Sequence, residues 1–479
     1  MYPQYTPPPA ALSTPAGLSA LMLQQLLVFL TPFLLVLDDV LDTRLVRTVP
    51  RLIVAILRFR DRPNALLLSE LGAFILSPAQ APAGTKRLSN LLRSPNWQVS
   101  VVERFLWQRA DTHLATLEAQ AAPALVLWDG SHLEKPESRQ AAGLCPVRSS
   151  KAARLRRHHP GFSAPPQPGP PIVVPGLHWL GILLAGPSGP PTVAALRWWT
   201  TRGEQATSLR TVEEELLREC VQRWGRRVVQ VYDRGFAGQP GLEVQRDLNT
   251  RFIGRWPKRY LLADPTGQQR PTWQWTRGKR VWDSRAYWDV RQRRWIRVGV
   301  GAREVRHPVY PDWPLWLVLA RRQGCKEPWY LLTNEPCPDA ASAWAVVEAY
   351  VRRWQIEQTW RYCKSGLGFE SPRLWSWERR LKLLALASLA YAFLLSLLEE
   401  RWAEVRQALL RQWCHRTGSR SRTTAAPLYR LRAAISALWA EERPPPLEWE
   451  RPAARAAPWC EVLSGGRSQL LLVLHPNPG

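Results

Sequence analysis

Apolar residues recur at helical spacing from 19 to 119 with only short breaks, which predicts a helical N-terminal unit. One break, Ser77-Pro-Ala-Gln-Ala-Pro-Ala-Gly, precedes a segment in which Leu88, Leu91 and Leu92 sit among Lys86, Arg87 and Arg93. Such a helix can offer basic side chains to DNA, and a solvated surface face accounts for it equally well. At Ala124 the texture changes. Residues 124–129 form a short apolar run that closes on Asp129, and 171–185 and 191–200 read as two more strands. Residues 209–224 have helical periodicity, and 228–233 is another apolar run, closing on Asp233. Strands and helices in this order predict a mixed α/β layer structure. Strand-like runs continue across 251–339, and helical character returns over 340–364 and 375–402. The Pro-rich start, 1–18, predicts disorder, and in the Arg- and Pro-rich tail after 403 the run Arg443-Pro-Pro-Pro reads as a linker or loop.

A chain of 479 residues is too long for one ordinary core and implies two to four structural units. The apolar runs at 26–37 and 383–398 fall short of the roughly 20 residues of a membrane span and read as buried helices. No basic segment precedes the first of them, so no signal peptide is expected. The net charge of +26 changes the picture more, because its natural counterpart is a polyanion, most commonly nucleic acid. The stretch 251–310 holds 15 Lys and Arg against 4 Asp and Glu, and it is rich in Trp. Trp faces and Arg planes both suit stacking on bases, although most of the 26 Trp residues are expected in the core. Seven scattered cysteines without a Cys-x-x-Cys pair exclude a disulfide framework and a structural zinc site. There is no P-loop, so a nucleoside-triphosphate mechanism lacks support.

Two apolar runs that end in Asp place carboxylates at a sheet rim, and a third carboxylate would complete an oxygen-ligand site for Mg²⁺. Taken singly, each Asp is more often a turn residue or a helix cap. The third acid carries more information. Residues 350–364 read Tyr350, Arg353, Glu357 and Lys364 at Y-x2-R-x3-E-x6-K spacing, which on a helix puts all four near one face. Cations there can hold phosphates while the carboxylate binds metal. A surface helix with ion pairs explains the charges but not a face this mixed. His132 reads as structural, because metal-activated water needs no His. His158 and His159 in the basic loop are likewise not expected to form a site.

This spacing resembles the Y-R-E-K signature of the DDE insertion-sequence transposases, the β-insertion subgroup of the RNase H-like transposases. Asp129-Gly-Ser-His-Leu-Glu-Lys-Pro resembles their first acid motif, and Tyr232-Asp233-Arg234-Gly235-Phe236 their second. Arg251-Phe-Ile-Gly-Arg255-Trp and Trp329-Tyr-Leu-Leu-Thr-Asn-Glu-Pro resemble the strands that bound the insertion. The similarity covers about 120–400, and the 124 residues from Asp233 to Glu357 leave room for that insertion.

The resemblance implies an α/β fold. An RNase H-like catalytic core, a mixed sheet flanked by helices, would span 120–250 and 340–402. It would be interrupted by a β-rich insertion at 251–339 and preceded by a helical DNA-binding region at 19–119. A C-terminal region, 403–479, would serve oligomerisation or be disordered. By the same resemblance Asp129, Asp233 and Glu357 bind two Mg²⁺ ions, with Mn²⁺ able to substitute. Tyr350, Arg353 and Lys364 contact DNA near the cleaved end, and Trp329 takes the place of a Trp that receives a flipped base. Arg255, Arg234, Lys86 and Arg87 are further DNA-contact candidates. The implied partners are double-stranded DNA, as transposon ends and target, and a second copy in a homodimer. No membrane is implied, and the location is cytoplasmic, on the nucleoid. The competing expectations are a metal nuclease without strand transfer and a transposase-derived DNA-binding protein.

Overall fold

A computed structural model describes residues 14–138, 140–150, 171–289, 294–325, 327–414, 428–445 and 449. The basic loop with His158 and His159 lies outside these residues, as do the first 13 residues and everything after 449. The expected disorder of 1–18 does not hold for its end. Helix α1, Pro15–Asp38, begins there because Thr14 caps it, its hydroxyl accepting from the Gly17 N–H at 3.1 Å with Pro at the first helical position.

Four more helices follow: α2 (Thr43–Arg58), α3 (Leu68–Ile75), α4 (Ala81–Arg93) and α5 (Val99–Ala119). Helix α1 has 24 residues and contains an 18-residue stretch of mean hydropathy 2.2, so it is long and apolar enough to cross a membrane, unlike the short run at 26–37. Half of that stretch is buried inside the protein, with Met22, Leu26, Leu30, Phe33, Leu34 and Leu37 all inward.

The sheet begins with β1 (Ala124–Glu134), β2 (Cys145–Arg148), β3 (Val173–Ala185) and β4 (Thr192–Trp199). Then come α6 (Leu209–Trp224), β5 (Val228–Tyr232), α7 (Gln239–Asp247) and β6 (Arg251–Arg255). The run 261–333 adds β7 (Leu261–Ala263), β8 (Gln269–Pro271), α8 (Thr272–Thr276), β9 (Asp283–Asp289), β10 (Arg294–His307), β11 (Tyr310–Arg322) and β12 (Trp329–Thr333). Helices α9 (Ala340–Arg352), α10 (Trp354–Ser365), α11 (Trp377–Ser396), α12 (Ala403–Trp413) and α13 (Leu428–Glu441) close the described chain.

All twelve strands belong to one mixed sheet, ordered β2-β3-β1-β5-β6-β12-β11-β10-β7-β8, with β4 on β3 and β9 on β10. Strand β3 is antiparallel to β1 and β4, whereas β1, β5 and β6 run parallel. Strand β6, at the head of 251–339, is therefore a core strand. The added strands do not form a separate β layer: β12 pairs antiparallel with β6 and carries the same sheet onward. Strand β6 is thus paired on both sides, in parallel with β5 and antiparallel with β12.

Alternation along β1 sets the two faces. Leu125 and Leu127 join a core with α1, α2 and α11, while Val126 and Trp128 join another with α6. In β5, Val229 and Val231 take the first face, and Val228 and Tyr232 the second. By the same period of two, Asp129 and Asp233 turn toward the face that α9, α10 and α11 cover.

Candidate active site

The parallel pairing of β1 with β5 runs from Ala124 opposite Val228 to Leu127 opposite Val231. Asp129 stands two residues beyond the end of that pairing on β1 and Asp233 directly after the last residue of β5, close enough for the charge of Asp233 to act on Asp129. Asp129 does not end its strand, as the apolar run suggested. It lies mid-strand, because β3 is long enough to pair with β1 through Glu134. It is nonetheless the point at which β1 has outrun β5.

The stretch 350–364 approaches both acids, but not as one helix. Helix α9 ends at Arg352 and α10 starts at Trp354. Around Arg353 the ladder tightens to three-residue bonds, from Arg353 N–H to Tyr350 O and from Ile356 N–H to Arg353 O, both 3.1 Å. Across that break each acid gains a donor. The Tyr350 hydroxyl donates to Asp233 Oδ1 at 3.2 Å. The Arg353 guanidinium donates through Nη2 to Glu357 Oε1 at 2.5 Å. Trp360 Nε1 donates to Asp129 Oδ2 at 3.0 Å, and the Gly130 N–H donates to its Oδ1 at 3.0 Å.

The electrostatics follow from burial. Burial pushes the Asp129 carboxyl up to about 7; Arg353 opposes the shift, and Glu357 and Asp233 add to it. Arg353 is 3% exposed. Burial works against its charge, yet Asp233, Tyr350, Glu357 and Asp129 together hold its guanidinium above the ordinary value. Burial, followed by the Asp233 charge, raises the Tyr350 phenol. The cluster thus has three carboxylates around one buried cation and is short of positive charge. Among the described residues no three His, Cys, Asp or Glu side chains are gathered closely enough to hold a metal ion as they stand. Glu357 is turned to Arg353. Asp129, Asp233 and Glu357 are the oxygen donors that a hard divalent cation would take once drawn together.

The other predicted residues divide. Trp329 sets its ring at 5.3 Å and 72° to Tyr350, and Arg255 lies 5.8 Å from the Trp329 ring, so both belong to this neighbourhood. The Trp329 ring is only partly buried. Exposed Arg234 acts with Lys258 and Arg255 on Glu327 at its margin. Lys364 instead faces His132 further along β1, where burial and then its charge lower the imidazole pKa. Lys86 and Arg87 sit on α4, which packs on α3, and no described interaction links them to the acids.

Trp360 was not legible as a functional residue. Its ring packs 4.1 Å from Trp179, and Gly181, directly opposite Asp129 in β3, leaves the space it occupies. A Cβ at Gly181 would collide with the Trp360 ring and with Leu196. The available signal was its spacing, three residues after Glu357 on the same helical face.

Residues 201–393 match the family described as Transposase DDE domain. The DDE-domain stretch takes in Asp233, Glu357, Tyr350, Arg353, Lys364, Trp329 and Arg255, and it starts after Asp129. No curated protein sequence matches the chain significantly. Among solved structures, a cryo-EM structure of a piggyBac transposase synaptic complex with hairpin DNA is similar at 16% identity and a TM-score of 0.38. That similarity covers 83% of this chain and 76% of that one, and is too loose to match individual side chains.

Proposed function

We propose that the protein is a transposase of the DDE type, which cuts DNA strands at transposon ends and joins the freed 3′-hydroxyl to target DNA. The observation that carries this reading is that Asp129 and Asp233 lie just past the paired stretch of the parallel strands β1 and β5 and interact through their charges. Tyr350, Arg353, Glu357 and Trp360 are brought onto the same pair within and beside the DDE-domain match. The mixed sheet flanked by helices is consistent with the RNase H-like core implied by the sequence.

Asp129, Asp233 and Glu357 would hold two divalent ions, Mg²⁺ or Mn²⁺. Bound there, such ions polarise the phosphoryl oxygen and lower the pKa of the attacking hydroxyl. The charge deficit around Arg353 fits a divalent cation in kind. Tyr350 orients Asp233 through its hydroxyl. Trp360 orients Asp129 and excludes water from one of its edges. Arg353 holds Glu357 until the carboxylate is needed. Arg255, Arg234 and Lys364 supply cations for phosphates around this centre, and Trp329 offers an aromatic edge near Tyr350. Two copies would pair two ends, with hairpin formation on the route.

The proton on Asp129 gives a test. A metal ligand must be ionised, and the Asp129 carboxyl titrates at about 7 in the metal-free protein. Below that pH its proton competes with the ion. Apparent divalent-ion affinity is therefore expected to rise about tenfold per pH unit toward 7 and level off above it. Titration calorimetry with Mn²⁺ between mildly acid and mildly alkaline pH reads it, and a flat profile would count against Asp129 as a ligand.

Trp360→Phe keeps a ring against Trp179 and deletes the donor to Asp129. A drop of about tenfold in the same affinity is expected, typical for loss of a group that orients a ligand. Unchanged affinity would mean that Trp360 only packs.

A further inference from the structure

The antiparallel ribbon β9–β10 has two unlike faces. Asp289, Tyr287, Arg285 and Asp283 lie opposite Arg294, Ile296, Val298 and Val300 on one of them. That face is bolted to α9: Trp344 Nε1 donates to Asp283 at 2.8 Å, Arg285 pairs with Glu348 at 2.7 Å, and Tyr287 packs 5.8 Å from Trp344. The other face carries Trp288 directly opposite Trp295, then Ala286 opposite Arg297, and Ser284 opposite Gly299. Gly299 and Gly301 leave room for Val281 and Trp282 to lie over it. This outer face is open: Trp282 is 45% exposed, Trp288 51% and Trp295 67%. Trp288 and Trp295 meet edge to face at 5.8 Å.

Exposed Trp at this density is costly in water and calls for a partner. The charge says which kind. From 279 to 297 the sequence has seven Lys and Arg and two acids, and Asp283 is turned inward to Trp344. Arg297 and Trp295 alternate along one edge, with Lys279 and Arg280 exposed at the ribbon's base. A duplex hides the faces of its bases, so a row of Trp rings gains little from it. An unpaired strand offers both stacking faces and phosphates. We propose that the outer face of the β9–β10 ribbon, with Trp282, Trp288, Trp295 and Arg297, binds single-stranded nucleic acid through base stacking, without sequence preference. This rests on the DNA-processing reading above but uses none of the acid-site residues. Because the inner face is fixed to α9, which leads into Tyr350 and Arg353, the unpaired strand is held at a set offset from the acids.

The test is fluorescence anisotropy of a labelled oligothymidylate and of a duplex of equal length, with full-length protein in chelator. The double variant Trp288→Ala/Trp295→Ala is expected to lose single-strand affinity by about tenfold or more, the worth of at least one stacked base, with much less effect on the duplex. Trp288→Phe/Trp295→Phe, which keeps both rings, is expected to recover most of it. Single-strand affinity unchanged by the alanine pair, or an equal loss on the duplex, overturns the proposal, as does a preference for anionic lipid vesicles over the oligonucleotide. Asp233→Asn protein in the same assay keeps the two readings apart. It is expected to retain single-strand binding, and a loss there would place the strand in the acid site rather than on the ribbon.

Discussion

Glu357→Gln is expected to lower DNA strand cleavage by ~10³-fold or more while leaving the fold intact, the loss of several kcal/mol of charge stabilisation at the reacting phosphate. The substitution keeps size and shape, and the amide oxygen can still accept from Arg353 Nη2. The side chain is 32% exposed, so no tight packing is disturbed. What changes is the charge available to a divalent ion. Gel analysis of end-labelled duplex gives the rate, and thermal unfolding of the same preparation checks the fold. Cleavage within tenfold of the parent chain would remove Glu357 from the site.

Arg432→Ala carries the largest expected cost in stability. Arg432 is buried and lies where two helices end. Its Nη2 donates to Ile56 O and Phe59 O, both at 2.5 Å, and its Nε to Leu57 O at 3.3 Å. Its Nη1 donates to the carbonyl of Gly366, which caps α10. One guanidinium thus serves the final carbonyls of α2 and α10, groups that have no partner within their own helices, and its charge suits the negative ends of both. Alanine leaves these buried acceptors without a donor at about 1–3 kcal/mol each, so a loss of roughly 3–5 kcal/mol is expected. Lysine, a point donor, recovers only part of it. Denaturant unfolding measures the change, and a loss under about 1 kcal/mol would show that water replaces the guanidinium without penalty. Because Gly366 closes the helix that carries Glu357 and Trp360, cleavage at raised temperature should fall with stability.

Local signals were legible where they were self-contained. Helix α6 begins and ends where its apolar period does, with Ser208 capping it and Gly225 following in the left-handed region at φ 53°. Strand β5 is a bare apolar run and could be read directly. The spacing of Tyr350, Arg353 and Glu357 announced a shared site, and two of these side chains meet acids by hydrogen bonds.

What could not be read depends on partners far along the chain. That β1 runs on through Asp129 is decided by β3, some fifty residues later. That 251–339 extends the core sheet is decided by β12 returning to β6. The break at Arg353 has no proline or glycine to mark it; the buried guanidinium between acids accompanies it. Lys364 shares the spacing, and its charge acts on His132 further along β1, a neighbour the sequence does not announce. The donor to Asp129 is a Trp, and Trp reads as core in any sequence.

The central claim is that Asp129, Asp233 and Glu357 support metal-dependent transfer of a DNA phosphodiester. The most direct measurement incubates the full-length protein with labelled duplex bearing its own terminal sequences and a target plasmid, with Mg²⁺ or with chelator, for the parent chain and for Asp233→Asn. The account predicts nicks with 3′-hydroxyl ends and joined products only with Mg²⁺ and only with the acid in place. Cleavage that persists in chelator, or that Asp233→Asn leaves unchanged, would contradict it.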